Sequence, residues 1–306
     1  MLITITGKLG SGKSTLCKLL SEQCKYDVYS TGQIHRNLAV KMGLDTIALN
    51  RLMETDQNYD RVIDDEVKRL AAEKKDQRII FDSRLAWHFV GQSLKIFTTI
   101  DPFVAAERVL ASPRGSEESY HDLAEALAKL KIRAELEIKR FKDIYGIDYS
   151  DYSNYDLIID TTWLDPESLA SIINQEYKLY AQQDVKPKPA SEILISPKSL
   201  YPTYPLVRPG KADSNLSLSL KNHFRDDPFV VALIDGYHYV IDDKGGGLFA
   251  ALEAKLPYVF ASLKKDAPET NQTLSKLDPN LLKSAQELGG FMYPGVPFAY
   301  GDRTES

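Results

Sequence analysis

The first fifteen residues constrain the fold more than any other part of the sequence. Residues 2–6 (LITIT) are rich in β-branched and apolar side chains, and GKLGSGKST follows at once. That segment fits the pattern G-x-x-x-x-G-K-S of a phosphate-binding loop. Its glycines let the backbone bend sharply and point successive N–H groups at one anion. Because leucines at helical spacing come next, we expect a strand, a phosphate-binding loop and a helix, in that order.

The residue types in this loop suit a nucleoside triphosphate and its metal. A lysine at position 13 can reach the β- and γ-phosphates, and the hydroxyl of Ser14 can bind Mg²⁺. The alternative is a glycine-rich turn between strand and helix that holds no ligand. The sequence therefore predicts ATP as a substrate, with Mg²⁺ as the cofactor. The predicted ATP-binding residues of the loop are Gly7, Lys8, Leu9, Gly10, Ser11, Gly12, Lys13, Ser14 and Thr15.

Composition limits the class of protein. The chain has 306 residues, enough for two domains, and a net charge of −5, which argues against non-specific binding of nucleic acid. Its apolar runs are shorter than a membrane span, and no basic segment precedes the first strand. Cys17 and Cys24 are two helical turns apart, about 10 Å, which is too far for a disulfide. We therefore expect a cytoplasmic protein that does not bind membranes.

Short apolar segments alternate with helical ones through residues 1–183. After the first strand, further strands are expected at 26–30, 78–82, 94–100 and 155–160. Strands that are apolar on both faces indicate a parallel sheet. The prediction is therefore an α/β fold, a five-stranded parallel sheet with helices on both faces. Ligands should bind at the carboxyl ends of its strands.

Arginines are frequent where the sequence places this rim. Moving a phosphoryl group onto a phosphate brings many negative oxygens together, and arginine can neutralise them in bidentate geometry. Arg133 and Arg140 are seven residues apart on a predicted long helix, so they share a face with Glu137. The alternative is a solvated face of a charged helix.

Five segments together resemble the cytidylate kinases, which are nucleoside-monophosphate kinases, over residues 1 to about 180. Each segment is modest alone, but their order and spacing agree with the family. Residues 35 and 86–88 depart from its pattern near the acceptor pocket, which leaves the preferred base open. The segments are the phosphate-binding loop, STGQIHR at 30–36, DSR at 82–84, RAELEIKR at 133–140, and YGID at 145–148 with NYDLIIDT at 154–161.

The resemblance implies a P-loop kinase fold, an activity and roles for individual residues. The activity would be ATP-dependent phosphorylation of a nucleoside monophosphate, CMP or dCMP. Alternatives are another small phosphorylated or hydroxyl acceptor, or a nucleotide-sensing regulatory protein. Arg108 and Arg114 would flank a lid over ATP. The catalytic residues would be Lys13, Arg133 and Arg140, and the acceptor-binding residues Thr31, Arg36, Asp82, Arg84 and Glu137.

The composition changes after residue 183. Residues 184–191 form a linker rich in proline and lysine, so we predict domains at 1–183 and 192–306. In the second, Asp235-Gly236 between two β-rich runs predicts a hairpin. A helix, a strand and a further helix are expected after it, which gives a small α+β domain.

The order of these C-terminal elements resembles the ParB/sulfiredoxin fold. Glycines at 245–247 stand where that fold has polar His-His-Arg, so no functional residue can be carried over. The glycine cluster is either a turn or a backbone site for an anion. We expect the second domain to be an appendage for interaction or regulation, which binds a protein partner or a second copy of the chain.

Overall fold

In a computed structural model, the described residues are 2–44, 49, 58–111, 120–182, 192–209, 214–264 and 278–294. The side chains of residues 35, 36, 58–60 and 214 are not among them. The predicted lid residue Arg114 and the side chain of Arg36 therefore lie outside the described part of the chain.

The five predicted parallel strands are present. They are β1 (Leu2–Gly7), β2 (Asp27–Ser30), β3 (Ile79–Asp82), β4 (Leu94–Thr99) and β5 (Leu157–Asp160). They pair in the order β2-β3-β1-β4-β5, and every pair is parallel. Burial on both faces explains their apolar character, because strands inside an α/β sheet have helices above and below.

Helices cover both faces of these strands. They are α1 (Lys13–Cys24), α2 (Thr31–Lys41), α3 (Asn58–Glu73), α4 (Ala86–Phe89), α5 (Pro102–Ala111), α6 (Leu123–Tyr145) and α7 (Pro166–Gln182). Ile3 and Ile5 of β1 belong to a cluster with residues of α1 and α7, whereas Ile79 and Phe81 of β3 cluster with residues of α3. The α/β architecture is thus confirmed.

The sheet does not end at β5. The remaining strands are β6 (Glu192–Ile195), β7 (Leu200–Pro202), β8 (Phe229–Ile234), β9 (Tyr237–Asp242) and β10 (Val259–Leu263). β6 pairs in parallel with β5, and the order continues β6-β10-β8-β9-β7, which makes one ten-stranded sheet. The hairpin prediction is confirmed: β8 and β9 pair antiparallel around Asp235-Gly236. The division into domains at 1–183 and 192–306 stays a prediction.

Close packing accounts for the glycines before the second C-terminal helix. The helices here are α8 (Ser214–Lys221), α9 (Gly247–Glu253) and α10 (Pro279–Gly289). Gly246 has a φ of 97°, and a Cβ there would lie 2.7 Å from the carbonyl oxygen of Val207. A Cβ on Gly247 would lie 2.9 Å from the ring of Phe224. The cluster is therefore needed for a tight turn into α9.

The first five strands and the C-terminal segment, from β6 onward, share one hydrophobic core. A single cluster of buried side chains joins residues of the first five strands, such as Phe97 and Ile158, with C-terminal residues such as Phe229 and Val240. The rings of Tyr152 and His238 lie 6.3 Å apart within it. Because burial of apolar area is the main stabilising contribution to folding, each segment depends on the other for stability.

Two observations concern the predicted environment. Within the described ranges, no helix has the length and apolar character needed to cross a membrane. Cys17 and Cys24 are free thiols, and burial raises the pKa of Cys17 to about 11. Cys17 is therefore a thiol at neutral pH, as expected for a residue of the helix interior.

Arg225 joins the C-terminal segment to α7. Its guanidinium donates to both carboxylate oxygens of Glu176, at 2.9 and 2.7 Å, and to Glu192 at 2.8 Å, and it lies 4.6 Å from the ring centroid of Phe260. Replacing Arg225 by Met leaves two partly buried carboxylates without this donor. We expect the free energy of unfolding to fall by about 1–2 kcal/mol. Urea unfolding of the full chain measures it.

The matched control is Arg208→Met. Arg208 pairs with Glu253, but its side chain is 72% exposed. Its loss should change the free energy of unfolding by less than about 0.5 kcal/mol. Equal effects of the two substitutions would contradict the role given to Arg225.

His238 gives the fold a dependence on pH. It is 2% exposed, and burial lowers the pKa of its imidazole to about 3, with a smaller contribution from Lys8. The unfolded chain binds a proton near pH 6.5, whereas the folded chain does not, so stability falls as pH drops below that value. Between pH 7.5 and 5 we expect His238 to account for a loss of about 2 kcal/mol.

This loss is measured by comparing the wild type with His238→Gln. Urea unfolding at both pH values should show a smaller decrease for the variant, since glutamine does not titrate. An equal decrease in both proteins would assign the pH dependence to other groups.

Candidate functional site

The phosphate-binding loop is held tightly at the carboxyl end of β1. Gly10 and Gly12 have φ values of 77° and 74°, and a Cβ on Gly10 would lie 2.9 Å from backbone atoms of Ala105 in α5. The Ser11 hydroxyl donates to the carbonyl of Lys8 at 2.8 Å. A side chain at position 10 would therefore push the loop away from α5, which explains glycine there.

Lys13 and Asp82 meet at the start of α1. The ammonium of Lys13 donates to the carboxylate of Asp82, and their side chains are 18% and 10% exposed. Thr31, at the start of α2, donates to the carbonyl of Asp82 at 3.5 Å. The structure thus brings the predicted catalytic lysine together with two predicted acceptor-binding residues. In this arrangement Asp82 fixes the direction of Lys13.

Glu137 is the centre of a charged network between α6 and the loop. Arg84 donates from Nε to Glu137 at 2.9 Å and from Nη1 to the carbonyl of Gly7. Arg133 lies 3.5 Å from the other oxygen of Glu137, and the hydroxyl of Tyr149 donates to Glu137 at 3.2 Å. Burial raises the pKa of Tyr149, so this hydroxyl stays protonated. The network joins predicted catalytic and acceptor-binding residues to the loop.

The remaining predicted arginines differ in what the structure describes. Arg108 on α5 donates to the carbonyls of Thr161 and Thr162, at 2.9 and 3.3 Å. Its Nη1 lies 3.9 Å from the position of a Cβ on Gly12, so it borders the loop. Arg140 lies on α6 three residues after Glu137, on its exposed surface. Arg108 therefore borders the loop beside Gly12, and Arg140 shares the face of the network.

Sequence reasoning missed contributors to this site. The hydroxyl of Thr161, directly after β5, donates to the carbonyl of Ser11 in the loop at 3.0 Å and to that of Thr99 at 3.1 Å. Tyr149 was not expected to bind Glu137. The signal for Thr161 was its position after an apolar strand, because such residues lie at the ligand edge of the sheet. Nothing in the sequence pattern marked Tyr149.

The residues present fit Mg²⁺ bound together with a nucleotide. Among the described residues, no group of three His, Cys, Asp or Glu side chains could hold a metal ion by itself. Ser14 provides a hydroxyl oxygen in the first turn of α1. Mg²⁺ is often bound by one or two protein oxygens, with phosphate oxygens and water as its other ligands. Such a donor set matches this loop.

The fold and the loop define a class of protein. A parallel sheet with a glycine-rich loop and a lysine after its first strand is a P-loop nucleotide-binding fold. Residues 2–163 match the sequence model of the cytidylate kinase-like family, which is just over half of the chain. The chain belongs to this family. Residues 192–294 lie outside the match.

Individual relatives agree with this membership. The chain is 34% identical over 183 residues to the cytidylate kinase of Haloarcula marismortui, covering 59% of this chain and 91% of that protein. It is 39% identical over 172 residues to the cytidylate kinase of Methanothrix thermoacetophila, covering 56% and 95%.

Solved structures give more distant likenesses. An uncharacterized protein from Eubacterium ventriosum has a TM-score of 0.45 at 18% identity, covering 60% of this chain and 99% of its own. The shikimate kinase of Bacteroides thetaiotaomicron has a TM-score of 0.42 at 13% identity, covering 58% and 98%. The family membership rests on the sequence match.

Proposed function

We propose that the protein transfers the γ-phosphoryl group of Mg-ATP to a nucleoside monophosphate, with CMP or dCMP as the preferred acceptor. The observation that carries the proposal is the network of Arg84, Glu137 and Arg133, joined to the loop at the carbonyl of Gly7. It places fixed positive charge beside the phosphate-binding loop, where two phosphate groups must meet. Membership in the family and the names of the relatives support the same activity.

The donor is bound by the loop. The backbone N–H groups of the loop and the N-terminal end of α1 bind the phosphate oxygens of ATP. Lys13 contacts the β- and γ-phosphates, which separate in the reaction. Ser14 would hold Mg²⁺, which would neutralise charge on the phosphates of ATP. Arg108 borders the loop, where it contributes a further positive charge. Asp82 holds the ammonium of Lys13 in place before ATP binds.

The transfer itself depends on position and charge. An oxygen of the acceptor phosphate forms a bond to the γ-phosphorus while the bond from that phosphorus to the β–γ bridging oxygen breaks. Arg133 and Arg140 stabilise the oxygens of the group in transit, and Arg84 with Thr31 and Arg36 binds the acceptor. Glu137 holds Arg84 and Arg133 at fixed positions. Such preorganised charges account for most of the catalysis of phosphoryl transfer.

Two alternatives are separated by experiment. The enzyme could phosphorylate another small phosphorylated or hydroxyl acceptor, or the chain could bind nucleotide only as a sensor. The paired arginines of α6 favour an enzyme, since binding a nucleotide alone does not require charges that stabilise a transferring group. A cytoplasmic location and a protein partner for residues 192–306 stay predictions from the sequence.

The first test is a coupled ADP-release assay of the full chain. Mg-ATP is combined with CMP, dCMP, UMP, AMP, GMP or dTMP in turn. We expect the highest kcat/KM with CMP or dCMP, and a decrease of kcat by at least about 10²-fold in Lys13→Met, because the charge on the separating phosphates is lost. ATP binding without turnover of any monophosphate would contradict the proposed function.

Arg140 is tested in the same assay. We expect Arg140→Ala to lower kcat by about 10²–10³-fold, with less change in KM, because its charge acts mainly on the transferring group. The control is Lys139→Ala, which removes an adjacent charge that pairs with Asp143 on the exposed surface of α6. An unchanged kcat in Arg140→Ala would show that Arg140 belongs to a solvated helix face.

A further inference from the structure

Two buried carboxylates lie at the carboxyl ends of neighbouring strands beside the phosphate-binding loop. Asp101 comes after β4 and Asp160 ends β5, and they are 7% and 3% exposed. Burial raises the pKa of both groups, that of Asp101 to about 6. A carboxylate at such a position needs hydrogen-bond donors, because removing its charge from water is costly. The residues that supply these donors therefore show which parts of the chain hold the two carboxylates in place.

The N-terminal segment supplies some of the donors through its backbone. Oδ1 of Asp101 accepts from the N–H groups of Phe103 and Val104, at 2.7 and 3.3 Å, at the start of α5. Oδ1 of Asp160 accepts from the N–H of Thr162 at 3.0 Å. Each carboxylate thus fixes the turn that follows its own strand.

The C-terminal segment supplies one hydroxyl to each carboxylate. Ser199 donates to Oδ1 of Asp160 at 2.9 Å, and Tyr201 donates to Oδ2 of Asp101 at 3.3 Å. Both donors are buried, at 8% and 2% exposure. They lie beyond residue 163, where the family match ends. These two hydrogen bonds are therefore made by residues outside the part of the chain that matches the family.

The turn after Asp160 touches the donor side of the loop directly. The hydroxyl of Thr161 donates to the carbonyl of Ser11, and Arg108 donates to the carbonyls of Thr161 and Thr162. The hydroxyl of Thr162 accepts from the N–H of Asp101 at 2.9 Å. A continuous path of hydrogen bonds thus runs from Ser199 through this turn to the loop and to Arg108.

The tip of the β8–β9 hairpin makes a second contact with the loop. A Cβ on Gly236 would lie 3.3 Å from Nζ of Lys8 and 3.2 Å from the ring of Pro102, and Gly236 has a φ of 89°. Only glycine combines this conformation with so close an approach. The C-terminal segment therefore meets the donor side of the loop at two separate places.

We propose that Ser199 is a positioning residue for the donor nucleotide: its hydrogen bond to Asp160 holds the turn that fixes Ser11 and Arg108. This inference rests on the proposed function, which assigns the loop and Arg108 to ATP. It gives the C-terminal segment a part in the kinase site itself. Ser199 acts through Asp160 and Thr161, and it does not touch the nucleotide.

Direct binding of Mg-ADP to the full chain, measured by calorimetry, tests the proposal without any acceptor. Ser199→Ala should raise the Kd for Mg-ADP about tenfold, the effect of losing one buried hydrogen bond. The matched control is Thr203→Val, which removes a C-terminal hydroxyl that donates to the carbonyl of Val240. Its Kd should stay within about twofold of the wild type. An equal Kd in both variants would overturn the proposal.

A double-mutant cycle separates positioning from general loss of structure. Thr161→Val removes the hydroxyl that binds Ser11. If Ser199 acts through this turn, Ser199→Ala adds less than its full effect on the Kd when Thr161→Val is already present. Ser199→Thr, which keeps the hydroxyl, should restore binding. Fully additive effects, or no rescue, would overturn the proposal.

Steady-state kinetics give the last readout. Ser199→Ala should raise KM for Mg-ATP and leave KM for the acceptor within about twofold, because the path ends at the donor side. If Ser199→Ala does not fold, Ser199→Cys decides, because its thiol is a much weaker donor to Asp160: unchanged Mg-ADP affinity there overturns the proposal. A wild type that binds Mg-ADP but turns over no acceptor would refute the proposed function alone, since the binding cycle can still be measured.

Discussion

The pairing of β6 with β5 determines how the rest of the molecule is arranged. Leu157, Ile158 and Ile159 of β5 lie opposite Glu192, Ile193 and Leu194 in parallel register. Parallel neighbours end at the same edge of a sheet, so the chain leaves β6 beside the carboxyl end of β5. That edge holds the phosphate-binding loop. The C-terminal segment consequently reaches the phosphate-binding loop, although it follows the whole kinase-like unit in sequence.

The charged groups at this edge are fixed by one another. Asp82 binds Lys13, and Glu137 binds Arg84 and Arg133. The pairs of Lys13 with Asp82 and of Arg84 with Glu137 are partly buried, which lowers the cost of orienting these side chains when the phosphates arrive. Arg84 and Arg133 would repel each other less with nucleotides bound, because the negative charge of the phosphates then balances the arginines. The network thus holds Arg84 and Arg133 on one carboxylate, that of Glu137.

Because the hydrophobic core is shared, the C-terminal segment is an integral part of the fold. The buried rings of Tyr201 and Tyr293 lie 4.4 Å apart, and both hydroxyls still donate: that of Tyr201 to Asp101 at 3.3 Å and that of Tyr293 to the carbonyl of Leu200 at 2.7 Å. Such side chains combine apolar burial with polar contacts. Together with Arg225, which binds residues of α7 and β6, they hold the segment against the first five strands.

Local sequence determined a large part of this protein. The glycine-lysine pattern of the loop, the apolar strands and the Asp-Gly turn each depend on neighbouring residues, and the parallel sheet and the hairpin follow from them. The positions of Lys13 and Glu137 in the site were also readable from motif and helical spacing. β6 and β7 were not, because these short segments are strands only through pairing with distant strands: β6 with β5 and β10, and β7 with β9. Only the tertiary structure decided that Ser199 meets Asp160 and that Tyr149 meets Glu137, since such contacts depend on strand order and on packing between distant segments.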